Sequence, residues 1–202
     1  MLADSRLAIT SCMNHALAAH GREPVPAQSL YPLIGPPLSH GFASLLGVGP
    51  DDPAVASCIA TYRGVYAEAS LRETPAYPGV PEALAEIAAT GARLAVATSK
   101  PRAFAEPLLE ALGIRGRFEA VAAPQLDLHV ESKTVTVAAA LASLEPDGPV
   151  TMVGDRHVDM EAAHAHRLRA VGVTWGFGTA DELRAAGADV LVDEPYALPA
   201  AV

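Results

Sequence analysis

The sequence predicts an α/β protein: a doubly wound, Rossmann-like parallel sheet with an all-helical segment set into the chain ahead of it. Three observations carry this. The first third shows helical patterns only, helix and strand patterns alternate from about residue 74 onward, and Gly or Pro marks most junctions. Such alternation needs crossover connections, which make neighbouring strands parallel and place helices on both faces of the sheet.

Asp4-Ser5 can cap a first helix, whose apolar positions Leu7, Met13, Ala16 and Leu17 recur at helical spacing before Gly21 stops it. Pro24, Pro26, Pro32 and Gly35-Pro36-Pro37 break the next stretch into short pieces. A second long helix opens at Asp51-Asp52-Pro53, with the stripe Val55, Ile59, Tyr62 and Tyr66. Beyond the loop 74–81 the expected order is helix 81–90, strand 93–97, helix 103–112, strand 120–122, helix 132–144 and strand 150–153. A short helix near 159–166, strand 170–174, a helix opened by the capping box Thr179-x-x-Glu182 and strand 190–192 complete it.

Half of the 202 residues are hydrophobic and 18% are charged, which suits a sizeable core. The net charge of −9 and the lack of any Lys/Arg block argue against a nucleic-acid partner. No apolar run is long enough to span a membrane and no signal-peptide pattern opens the chain, so a cytoplasmic location is expected. Cys12 and Cys58 lie in helical patterns, with no C-x-x-C or Cys/His metal spacing, and read as small buried hydrophobes.

In an open parallel sheet, ligands bind beyond the carboxyl ends of the strands. Three polar clusters fall at such ends. Thr98-Ser99-Lys100-Pro101 offers a hydroxyl and helix-entry amides that suit a phosphate oxygen, or simply an N-cap. Lys133 puts a cation in the first turn of a helix, against the macrodipole, which fits either a facing anion or a solvated surface lysine. In Val153-Gly154-Asp155-Arg156-His157-Val158-Asp159 two carboxylates four apart bracket a strand-to-helix turn. They repel unless a cation intervenes, and hard oxygen ligands without cysteine point to Mg²⁺, the alternative being plain helix capping by Asp159. His157 reads as a rim residue, and His164 and His166 as solvated helix positions.

A hydroxyl at a strand end, a lysine at a helix start and Gly-Asp-x-x-x-Asp after the next strand, in that order, resembles the haloacid dehalogenase superfamily. The segments Tyr77-Pro78-Gly79-Val80, Ala97–Pro101 and Met152–Asp159 are similar to its phosphoglycolate phosphatase-like branch. The resemblance implies a helical cap over residues 6–72, with Leu33–Leu38 as its substrate-facing loop, and a phosphatase core formed by residues 1–5 and 73–202. It further implies a Mg²⁺-dependent phosphohydrolase of small phosphate monoesters, such as phosphoglycolate or a nucleoside monophosphate, working through an aspartyl-phosphate. Thr98, Ser99 and Lys133 would cradle the phosphate, Asp155 with Asp159 would serve the metal, and Asp159 would orient Lys133 or a metal-bound water.

Relatives also carry an Asp-x-Asp-Gly strand just before the counterpart of Leu2-Ala3-Asp4-Ser5, and Met1 stands where that motif would end. The expectation is therefore a core without its first strand, lacking the nucleophile, the general acid/base and one metal ligand. The alternative is a non-catalytic phosphate- or metal-binding remnant. The resemblance places the absent strand between those ending at Thr98 and Asp155. At roughly 4.8 Å per strand, a slot of about 9.6 Å is expected there, with marginal stability.

Overall fold

The computed structural model describes residues 1–126 and 132–202. The chain divides into two compact units, one formed by Ser5–Pro75 and the other by Met1–Asp4 together with Ala76–Val202.

The first unit is helical. Helix α1 (Arg6–Ala19) has Ser5 at its N-cap position, without a capping bond from the serine side chain. The chain turns away at Gly21, whose φ of 69° suits glycine. A single turn, α2 (Ala27–Leu30), and a 3-10 turn, Tyr31–Leu33, lead to α3 (Leu38–Leu46), which ends on the left-handed Gly47. In α4 (Pro53–Arg72) proline opens the helix and the Asp52 carboxylate accepts the Ala54 amide at 2.8 Å. The buried face of α4 carries Val55, Cys58, Tyr62, Tyr66 and Ala69. Helical spacing admits either Cys58 or Ile59 on this stripe, and the smaller thiol takes the fully buried place while Ile59 is half buried. Tyr62 stacks on Tyr66 and meets Phe42 edge-on. Cys12 and Cys58 are buried free thiols.

The second unit runs α5 (Val80–Ala89), β1 (Ala95–Ala97), α6 (Arg102–Ala111), β2 (Ala120–Ala122), α7 (Lys133–Leu144), β3 (Thr151–Gly154), α8 (His157–Ala165), β4 (Arg169–Val173), α9 (Ala180–Ala185) and β5 (Val190–Val192). Among the described residues the strand ladders are parallel, and the isolated bridge between Ala3 and Ala76 is antiparallel. Among those residues the strands form two sheets, β1 with β2, and β3 with β4 and β5. Strands β1 and β3 thus each end a sheet and share no ladder. The opening residues lie at this junction: Met1 packs on the cluster of Val171, Val173 and Val192, Leu2 on that of Val96 and Val121, and Ala3 bridges Ala76. Residues 93 and 94 stay outside β1. Arg93 instead holds the Glu119 carboxylate through two nitrogens, an exposed pair with little weight for stability.

A third cluster, Met160, Ala163, Ala170 and Leu183, seals α8 and α9 onto β4. No described helix is long and apolar enough to cross a membrane. Leu183 is fully buried, so Leu183→Ala should destabilise this unit by about 2–5 kcal/mol, read as a fall in urea midpoint at unchanged slope. Val135→Ala, at a position 53% exposed, should move it by no more than about 0.5 kcal/mol. Equal effects of the two would show that the cluster does not hold the unit together.

Candidate functional site

Lys133 opens α7, whose N-terminus Ser132 caps by accepting the Val135 amide. A cation there faces the positive end of the helix dipole. Its side chain leaves the helix: Nζ donates to the Ala97 carbonyl at 3.1 Å, at the end of β1, and pairs with Asp159 Oδ1 at 3.0 Å. The two side chains are only 13% and 6% exposed, so the pair is nearly dry. One ammonium thereby ties the end of the β1–β2 sheet to the turn that follows β3.

The other oxygen of Asp159, Oδ2, accepts the amides of Asp155 and Arg156, both at 3.1 Å. These are amides that a helix start leaves without partners, and the carboxylate also complements the dipole of α8. Gly154 makes room for it, since a Cβ there would lie 2.2 Å from that of Asp159. Both Asp159 oxygens are therefore engaged by protein donors.

Asp155 is held from the far side by the loop after β4. Its Oδ2 accepts the Phe177 amide at 2.8 Å and its carbonyl accepts the Gly178 amide at 2.9 Å. A Cβ on Gly176 would come within 2.1 Å of Oδ2, and one on Gly178 within 2.1 Å of the Asp155 carbonyl, so the loop closes on this residue as only glycine allows. Oδ1 faces the Met1 ammonium at 3.5 Å. Among the described residues no group of three His, Cys, Asp or Glu side chains gathers there, so Asp155 offers one oxygen of a coordination shell.

The Thr98 amide extends the ladder by donating to Ala122 at 3.0 Å, and Thr98 Oγ1 accepts the Lys100 amide at 3.1 Å. That bond fixes the hydroxyl oxygen beside Ala97, whose carbonyl Lys133 holds. Ser99 is exposed. Desolvation draws the Lys100 ammonium down to about 8. Thr98, Lys133, Asp155 and Asp159 thus meet along the carboxyl ends of β1 and β3.

Two contributors do not show in the sequence pattern. The loop Trp175–Gly178 is one, although two glycines two residues apart just after a strand signal a close backbone approach. The other is Glu182. The Thr179 hydroxyl does accept the Glu182 amide at 3.1 Å, but the glutamate does not complete a capping box. Its Oε1 accepts Arg156 Nε at 3.1 Å, the His157 amide at 3.0 Å and bonds His157 Nδ1 at 2.8 Å. Burial raises the Glu182 carboxyl, yet the His157 amide and ring and the Arg156 guanidinium outweigh it and hold the group down at about 2. His166 is also fastened rather than solvated, Nε2 lying 2.9 Å from the Thr134 carbonyl, whereas His164 is exposed and lies over Gly187.

Residues 1–173 match the family described as haloacid dehalogenase-like hydrolase. The chain is 37% identical to the probable phosphatase IndB of Dickeya dadantii over 79% of its own length and 71% of that protein. It is likewise 37% identical to the tyrosine-protein kinase PtkA of Mycobacterium tuberculosis, over 89% of its own length and 61% of that protein. With the plasmid-encoded phosphoglycolate phosphatase of Cupriavidus necator it shares 31% identity over 98% and 87% of the two chains. Among solved structures, the "predicted phosphatase" of Clostridium acetobutylicum superposes with a TM-score of 0.87 at 30% identity, covering 99% of this chain and 92% of that one. By sequence match and by fold alike, the chain belongs to the haloacid dehalogenase-like hydrolases.

Proposed function

We propose that the fold is that of a Mg²⁺-dependent phosphohydrolase of small phosphate monoesters, which works through an aspartyl-phosphate once an Asp-x-Asp-Gly strand ahead of Leu2 supplies the nucleophile. The observation that supports this best is Lys133, drawn off its own helix to lie between the end of β1 and Asp159. In this reading the Thr98 hydroxyl, with its oxygen fixed by the Lys100 amide, and the Ser99 amide donate to phosphate oxygens. Lys133 adds a positive charge to the same oxygens, and Asp159 keeps its ammonium in place. Asp155 is the residue that would hold Mg²⁺, which when bound offsets repulsion between an attacking carboxylate and the phosphate dianion. The names of two relatives, a probable phosphatase and a phosphoglycolate phosphatase, support hydrolysis of a phosphate ester. Phosphoglycolate or a nucleoside monophosphate is the substrate class proposed.

The nucleophile of such a reaction is the first aspartate of an Asp-x-Asp pair, which attacks phosphorus and expels the alcohol. The second protonates that leaving group and later activates water against the aspartyl-phosphate. No Asp-x-Asp occurs within the 202 residues. The polypeptide 1–202 should accordingly show no Mg²⁺-dependent hydrolysis of p-nitrophenyl phosphate, and the same chain with an Asp-x-Asp-Gly strand placed ahead of Leu2 should turn over. Robust hydrolysis by 1–202 itself would contradict the assigned nucleophile. Silence from both, with phosphate still bound, would favour the non-catalytic remnant.

Lys133→Ala should lose inorganic phosphate binding by calorimetry. It should also destabilise the chain by about 3–5 kcal/mol, because Asp159 would be left buried without its counter-charge. Lys133→Ala with Asp159→Asn should recover part of the stability but none of the binding. Unchanged phosphate affinity in Lys133→Ala would remove the lysine from the cradle.

A further inference from the structure

We propose that Glu182 is a positioning residue for Asp155, acting through the turn that carries it; the inference rests on the reading that Asp155 holds a divalent cation. Glu182 sits in the first turn of α9, behind Thr179, where a glutamate ordinarily reaches back to cap its own helix. Here the capping is left to the Thr179 hydroxyl, and the glutamate crosses to α8. One oxygen, Oε1, collects the Arg156 guanidinium, the His157 amide and the His157 ring.

The consequence falls on three consecutive backbone amides. Asp159 accepts those of Asp155 and Arg156, and Glu182 accepts the next, that of His157. A helix start leaves such amides without internal partners, so without these two carboxylates the turn has little to fix it. Glu182 also lies beside the loop after β4. A Cβ added to Gly178, whose amide grips the Asp155 carbonyl, would stand in ordinary contact with Glu182 Oε2 at 3.4 Å. Glu182 therefore borders both segments that fix Asp155: the turn that carries its backbone and the loop that orients its carboxylate.

Partners that orient a metal ligand typically change affinity by about 10- to 100-fold when removed. The test is a Mn²⁺ titration of the 202-residue chain, following paramagnetic broadening of the amide resonances around Asp155. Glu182→Ala should require about 10-fold more Mn²⁺ or beyond for half-maximal broadening. Glu182→Gln, which keeps an acceptor for the His157 amide, should fall between it and the parent. Asp181→Asn, which removes a neighbouring exposed charge from the same helix, should match the parent. Thermal midpoints measured alongside separate positioning from general loosening: a shift in Mn²⁺ response at an unchanged midpoint is the expected signature. A Glu182→Ala response within twofold of the parent, while Asp155→Asn abolishes broadening, would overturn the inference and leave the cation reading standing. Broadening that survives Asp155→Asn, or its absence in the parent, would overturn the cation reading and the inference with it.

Discussion

The ion pair between Lys133 and Asp159 is the interaction on which the site depends. The described strands form two sheets that share no ladder, and the ammonium of Lys133 bonds to the end of one and to the turn beyond the other. Helix dipoles act on the partners in opposite senses. The N-terminus of α7 disfavours Lys133, while that of α8 favours Asp159. Asp159 is also a cap: its second oxygen takes two amides, so neither oxygen is buried without a donor. A nearly dry ion pair costs more in desolvation than attraction alone returns unless such added bonds are present.

Three carboxylates, Asp155, Asp159 and Glu182, crowd around the start of one helix, and their geometry sorts them. Asp159 spends both oxygens, and Glu182 its Oε1, on amides and cations of the protein. Asp155 keeps one oxygen on the Phe177 amide and turns the other to a positive charge. Glycines at 154, 176 and 178 make this density possible, each standing where a side chain would strike an aspartate. Space, rather than backbone conformation, is what glycine supplies here, since none of the three has positive φ.

Much of this was legible in local sequence, and the exceptions share a cause. The strands 120–122 and 190–192, the Asp52 cap and the placement of Lys133 at a helix start all rest on signals spanning a few residues, and the described elements fall there. Strand 93–97 read longer than its ladder, whose register starts at Ala95, although the Glu119 amide still donates to the Leu94 carbonyl at 2.9 Å. Thr179-x-x-Glu182 matched a local motif, but the glutamate's better partners lie 25 and 26 residues away in sequence. Asp155 and Phe177 are separated by 22 residues, and nothing in either segment alone announces the other. Short-range patterns set the elements; ties across the sheet's edge decide which polar groups remain available to a ligand.

Charge balance along that edge bears on how an anion could enter. Lys133 is balanced by Asp159, and Glu182 by Arg156, so neither pair presents a surplus. Asp155 is offset by the Met1 ammonium alone, in a chain whose net charge is already −9. Lys133 cannot serve both its carboxylate and a dianion at full strength, and the neutral Thr98 hydroxyl and Ser99 amide supply only dipoles. The proposed reading therefore needs one more cation, and the Asp155 oxygen that faces the Met1 ammonium is where it would act. A divalent ion there would reverse the local sign of the field, which a single ammonium only cancels. In the proposed reading a cation at Asp155 would therefore strengthen phosphate binding, with Lys133 holding the phosphate side of the pair.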